Sequence, residues 1–164
     1  MKKISFALLA IIFICGYLYY HHINFNVRGK QSFRCDSQVI SYTERNNKIV
    51  DVNLYLSAIF TVRGEGLLEI TGTYKQDNQQ YLVNRKILFT HKHSELNDME
   101  KTTITREVVG PIDNVPQESW QKYILPNLPG VEFYTELKKM NKNAMLFQGL
   151  SNPFFVCVLS EYHD

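Results

Sequence analysis

The sequence predicts a mainly β protein, an N-terminal transmembrane helix followed by a curled antiparallel sheet or barrel of about eight strands with one short helix. Three observations carry that reading. An uncharged apolar run opens the chain, period-2 alternation dominates from Phe33 onward, and turn residues punctuate the alternating runs at short intervals. The expected organisation is a cytoplasmic end at 1–3, a membrane anchor at 4–22, a polar stalk at 23–32 and a β domain at 33–164.

The anchor rests on residues 4–20, of which 15 of 17 are apolar and none is charged. As a helix this run spans roughly 25 Å at 1.5 Å per residue, a little short of the ~30 Å hydrocarbon layer. Tyr17, Tyr19 and Tyr20 at its far end suit the headgroup region and make up part of the difference. A cleaved signal peptide needs small residues before the cut, and Tyr-Leu-Tyr-Tyr-His-His after Gly16 offers no such pair. A lipoprotein needs a small residue before Cys15, where Ile14 stands. The expectation is therefore an uncleaved anchor. Lys2 and Lys3 hold the N-terminus in the cytoplasm, and the rest lies outside, in the periplasm if the cell is bacterial.

Phe33 to Tyr42 is the first strand-like run. From Ile49 to Val62, Val52, Leu54, Leu56, Ala58, Phe60 and Val62 share one face, and Asp51, Asn53, Tyr55, Ser57 and Thr61 share the other. Arg63-Gly64-Glu65-Gly66 turns the chain, and 67–74 runs back with Leu68, Ile70 and Gly72 on one side. After a turn at Asp77-Asn78, 81–90 sets Leu82, Asn84 and Lys86 opposite Val83, Arg85, Ile87 and Phe89. Lys101 to Val109 is rich in β-branched residues, as strands are. Pro116 and Pro126 bracket the helical candidate, Gln117 to Leu125, with Trp120, Ile124 and Tyr123 as its apolar face. Short strands at 131–139, 144–149 and 154–159 complete a set that closure into a barrel would free of edges.

Charge and motif content narrow the function. Lys2 and Lys3 account for the whole formal excess of +2, so the remainder has no basic field for nucleic acid. No nucleophile elbow, phosphate-binding glycine loop or paired carboxylates in a cleft-like pattern occurs, so no enzyme and no cofactor are expected. His91 and His93 share a strand face, the geometry of two metal ligands, but a third ligand would have to come from Glu95, Asp98 or His163 with no spacing to demand it. No metal site is expected. Imidazoles titrate under mild acidification, which makes His91 and His93 pH-sensing candidates. Ten Phe, ten Tyr and one Trp exceed the needs of a small core and allow for a lined cavity or an interface.

Cys15 falls in the anchor as a small apolar filler. Cys35 and Cys157 both fall in strands outside the membrane, where an oxidising compartment favours their pairing. No Cys-x-x-Cys redox motif exists, so the pair reads as a structural staple between first and last strands.

The Lys-Lys start, the single anchor, Ser32-Phe33-Arg34-Cys35 and Asn152-Pro153-Phe154-Phe155-Val156-Cys157 together resemble the FidL-like accessory membrane proteins of enterobacteria, notably the PsaF/MyfF type of fimbrial loci. The resemblance implies a single-pass protein of the bacterial inner membrane with a role like that of ToxS. Such a protein binds, stabilises and helps activate a ToxR-like membrane-bound transcriptional regulator of fimbrial or virulence genes, as its periplasmic chaperone and co-sensor. In related pairs the two periplasmic domains complete a lipocalin-like barrel together, and some of those barrels take a small apolar ligand such as a bile salt. The alternative is a stand-alone periplasmic small-ligand-binding barrel.

Overall fold

The computed structural model describes residues 12–17, 32–45, 48–96 and 99–160. The chain divides into two units, Met1–Gln31 and Ser32–Asp164. Of the expected anchor at 4–22, residues 12–17 are helical and exposed, and the others lie outside the described residues. Among the described residues no helix is long and apolar enough to cross a membrane. The stalk at 23–32 also lies outside them, except for Ser32.

In the second unit alternation becomes a sheet because one face of each run can be buried. The strands are β1 (Phe33–Arg45), β2 (Lys48–Phe60), β3 (Glu65–Gln76), β4 (Gln79–His93), β5 (Glu100–Val109), β6 (Glu132–Lys139), β7 (Ala144–Gly149) and β8 (Pro153–Ser160). Between β5 and β6 lies the helix α1 (Gln117–Tyr123). Each strand pairs antiparallel with the next, and β8 returns to β1, closing an eight-stranded barrel.

Val50, Val52, Leu54, Leu56, Ala58 and Phe60 all point inward from β2 and are buried. Val62, expected on that face, is exposed because β2 ends at Phe60 and the chain is already turning. Glu65 and Gly66 belong to β3 and not to the turn, and β1 continues three residues past Tyr42. Gly66 is required where it stands, since a Cβ there would enter the ring of Phe89 on β4. Gly72 adopts φ +148°, and a Cβ there would collide with the carbonyl oxygen of Asn53 on β2. β2 and β3 therefore approach closely at a residue without a side chain, a role glycine commonly has within strands.

The barrel has two unlike ends. One holds Cys35, Ala58, Phe60, Phe89 and Cys157, packed as one buried cluster. The Phe60 ring lies 4.8 Å from Phe33, 5.4 Å from Phe89 and 6.0 Å from Phe147, centroid to centroid. The opposite end holds the β1–β2 and β3–β4 hairpins and is stoppered by the segment that carries α1. Trp120 is fully buried there, in one cluster with Val50, Val52, Tyr74 and Val83.

Candidate functional site

Three features of the barrel have chemical or binding potential: its lumen, the latch that holds α1, and the seam between β1 and β8.

The seam follows from strand register. β1 pairs with β2 over its whole length, from Phe33↔Phe60 to Arg45↔Lys48. With β8 it pairs over three positions alone, Arg34↔Ser160, Cys35↔Leu159 and Asp36↔Val158. Ser37 then donates its hydroxyl to the carbonyl of Val156 at 2.6 Å. Beyond that the strands part. The direction of the exposed backbone groups can be read from Ile49, whose N–H reaches Asp77 Oδ1 at 3.1 Å and whose carbonyl accepts from Asp77 N–H at 2.9 Å. Ile49 thus turns both groups to β3, so its register partner Glu44 has none from it. By the alternation of antiparallel ladders, Gln38, Ile40, Tyr42 and Glu44 aim N–H and C=O away from β2, toward the side that β8 leaves unpaired. Ile40 and Tyr42 also present exposed apolar side chains there, as do Phe154 and Val156 of β8.

The seam is held at its disulfide end. Cys35 and Cys157 are bonded, with Cα atoms 5.4 Å apart and 122 residues between them in sequence. Asp36 receives a hydrogen bond from the Ser160 hydroxyl and pairs with Arg34 at 3.2 Å. Burial pushes the Asp36 carboxyl up, but the hydrogen bonds from Ser160, Ser57 and Arg34 and the Arg34 charge outweigh it and hold the group below its ordinary value.

The latch centres on Arg85, an inward residue of β4 that is 2% exposed. Its guanidinium forks to both oxygens of Asp113 at 3.1 Å, reaches Glu107 at 2.5 Å and Gln117 at 2.8 Å, and donates to the carbonyl of Val115 at 3.1 Å. It also lies 4.3 Å over the Trp120 ring. Arginine is the cation that can meet this many partners in one plane. The sequence places Arg85 on the inward face without assigning it a role; the signal was a charge in a position otherwise reserved for apolar residues. The latch ties the 110–117 connection and α1 to the barrel wall.

The lumen is a cavity of about 350 Å³ that reaches from Phe60, Phe89 and Phe147 to Ser41, Thr43 and Asn127. Its 25 lining residues include no charged side chain. Thr102 and Thr135 share a hydroxyl–hydroxyl bond at 2.6 Å and are buried.

The two histidines part company. His91 Nδ1 lies 2.7 Å from Glu100 Oε2, and its ring packs edge-on to Phe60. Its buried Nε2 has no hydrogen-bond partner among the described residues, and neither does Trp120 Nε1. His93 is exposed at the strand end. Glu100 is thus the partner of His91. The hydrogen bond from His91 holds the Glu100 carboxyl below its ordinary value, against the effect of burial. Of the three outlying ligand candidates, Asp98 and His163 lie outside the described residues. Among the described residues no group of three or more His, Cys, Asp or Glu side chains is placed to hold a metal.

A family model described as "FidL-like putative membrane protein" matches residues 72–157, just over half of the chain and most of the barrel from β3 to β8. No curated protein matches the sequence.

Proposed function

The chain belongs to the FidL-like membrane protein family, and from that premise we propose that it is an accessory protein that binds and stabilises a ToxR-like membrane-bound transcriptional regulator by adding a strand of the regulator's periplasmic tail to β1. The observation that carries the reading is the one-sided pairing of β1 past Asp36. A free edge of this length offers main-chain hydrogen bonds to an extended segment, and the exposed side chains of Ile40 and Tyr42 add apolar contact. Soluble proteins usually blunt such edges with charge, proline or cover, and this one sets two large exposed apolar residues, Ile40 and Tyr42, between Gln38 and Glu44. In this reading the barrel stands in the periplasm on an inner-membrane anchor, and the regulator supplies the cytoplasmic DNA-binding domain. Association stabilises the folded regulator tail by mass action, which protects it from proteolysis and keeps it competent to activate fimbrial or virulence genes.

The test is co-expression of the full chain with the proposed ToxR-like regulator. Wild type should co-purify with the regulator from solubilised membranes and lengthen its lifetime. Ile40→Pro deletes one edge donor while leaving the β2 ladder whole, because the N–H of residue 40 faces the free side. It should reduce co-purification at least tenfold with little change in the barrel's own melting temperature. A regulator that is equally long-lived without this chain, or that co-purifies equally with Ile40→Pro, would overturn the reading.

A further inference from the structure

We propose that the disulfide end of the barrel docks on a membrane surface of anionic phospholipid headgroups, with the tips of three turns entering the headgroup layer. The proposal rests on the membrane anchor of the reading above and not on the regulator. Topology is the first argument. Strand direction alternates, so the connections after β2, β4 and β6 all lie at the end where β1 begins and β8 stops. The Gly64 carbonyl accepts from the His91 N–H and the Asn143 carbonyl from the Leu159 N–H, both at 2.7 Å. These bonds seat the first turn on β4 and the third on β8. Each connection exposes one large apolar side chain, Val62 at 55%, Leu96 at 44% and Met140 at 59%. A single exposed apolar residue is ordinary, but one in each of three turns on the same rim is a spaced set. Separated tips suit a broad, yielding surface better than a groove.

Charge is the second argument. Arg63 follows Val62, Lys92 ends β4 ahead of Leu96, and Lys138, Lys139 and Lys142 flank Met140. All five cations are exposed, and none makes an ion pair among the described residues. Lys92 moreover stands opposite Lys101 in the ladder, a like-charge pairing that costs stability unless an outside anion offsets it. Of the carboxylates on this rim, Asp36 is taken by Arg34 and Glu100 by His91. Glu65 and Glu95 remain exposed, and Asp98 lies outside the described residues. The chain ends that meet the rim offset each other, Arg28 and Lys30 before β1 against Glu161 and Asp164 after β8. Lysines beside interfacial apolar side chains are what holds a protein on anionic lipid.

The tether is the third argument. β1 begins at this rim, so the apolar run at 4–20 joins the barrel here through residues 21–32. Twelve residues reach at most roughly 40 Å when extended, which keeps this end near the bilayer. The opposite end also exposes apolar side chains, Ile112, Leu128 and Leu150, but no such tether starts there. A docked rim would hold the unpaired half of β1 at a fixed height, facing a partner tethered in the same membrane.

The test places a fluorescent nitrobenzoxadiazole label on the full chain, reconstituted in vesicles whose lipids carry nitroxide quenchers along their acyl chains. With Cys15→Ser as background, single labels go on Val62→Cys, Leu96→Cys and Met140→Cys, and for contrast on Ile112→Cys, Leu128→Cys and Leu150→Cys. All six positions are exposed, so the fold tolerates them. In vesicles containing phosphatidylglycerol the rim labels should be quenched about twofold and the far labels left bright. Phosphatidylcholine alone, or Lys92→Gln, Lys138→Gln, Lys139→Gln and Lys142→Gln combined, should abolish the rim quenching. The unsubstituted chain labelled at Cys15 reports the anchor and should be quenched in both lipids. Ile40→Pro should leave the rim signal as in wild type, which separates this result from the partner test. Quenching at Cys15 with a bright rim would overturn the docking and leave the anchor, and no quenching at either would overturn both. Far labels quenched in place of the rim, or rim quenching as strong without phosphatidylglycerol or the four lysines, would also overturn the proposal.

Discussion

Arg85 shows how much one side chain can decide. Desolvation alone opposes its charge, yet hydrogen bonds and attraction from Asp113 and Glu107 hold its protonated form more firmly than usual. Such a cluster is costly to bury and more costly to break. Arg85→Met should destabilise the barrel by about 3–5 kcal/mol, because it leaves the Asp113 carboxylate, 1% exposed, without its cation. Adding Asp113→Asn and Glu107→Gln should recover part of that loss, which urea unfolding of the single and triple variants would measure. A single variant as stable as wild type would show that the latch contributes nothing. Glu100 makes a second prediction, with a sign. Its folded value lies below its ordinary 4.5, so its contribution is present above that pH and is lost as pH falls through the lowered value. The stability gap between wild type and Glu100→Gln should therefore be widest near neutrality and shrink toward pH 3. A gap that grows on acidification contradicts the assignment. The latch was illegible in sequence because Asp113 and Arg85 are 28 residues apart, and ion pairs have no period to betray them. The inward placement of Arg85 beside Val83, Ile87 and Phe89 was legible, since period-2 alternation reports the face alone.

At the scale of elements, α1 is the clearest example of local chemistry meeting tertiary demand. Pro116 precedes its first residue and needs no N–H, and Ile124 and Leu125 close on the carbonyl of Trp120, ending the helix two residues before the expected Leu125. Seven residues form no stable helix alone, so α1 owes its order to burial of Trp120 and to the Arg85 latch. Trp120→Ala should cost about 3–5 kcal/mol, the range for emptying a large aromatic site. Because α1 also stoppers the lumen, the variant should raise hydrogen exchange along 117–125 and β1 more than along β3. Uniform change across the barrel would mean that α1 acts as general core and not as a stopper. The strands themselves were readable because each buries one face. The bulge between Leu88 and Phe89 was not, because it is set by how β5 must bend against β4 and leaves no mark in composition. The three-pair seam of β1 with β8 was hidden for the same reason, since register between chain ends belongs to the closed barrel and to no local segment.

For the whole molecule, the question is what closes the barrel. Seven neighbouring strand pairs form in sequence order, while the eighth joins chain ends through three residue pairs, the Ser37 and Asp36 side-chain bonds and one disulfide. Joining the ends bears the largest loop entropy in the fold, and a covalent bond across 122 residues removes most of that cost from the unfolded chain. A Cys35→Ser/Cys157→Ser variant should therefore lose about 2–5 kcal/mol, the range for removing a native disulfide from a small domain. The loss should be local in its dynamics. Amides of Arg34, Asp36, Val158 and Ser160, which face the seam, should exchange near the rate of fraying termini, while those of β2, β3 and β4, which pair along their lengths, keep most of their protection. A partner strand on β1 would act on the same seam from its other half. If it completes the barrel there, the regulator should restore more stability to the cysteine-free variant than it adds to wild type, because the open seam has more to regain. Equal stabilisation of the two would place the regulator elsewhere on the surface, and protection lost evenly over all eight strands would show the disulfide serving the whole core instead of the closure.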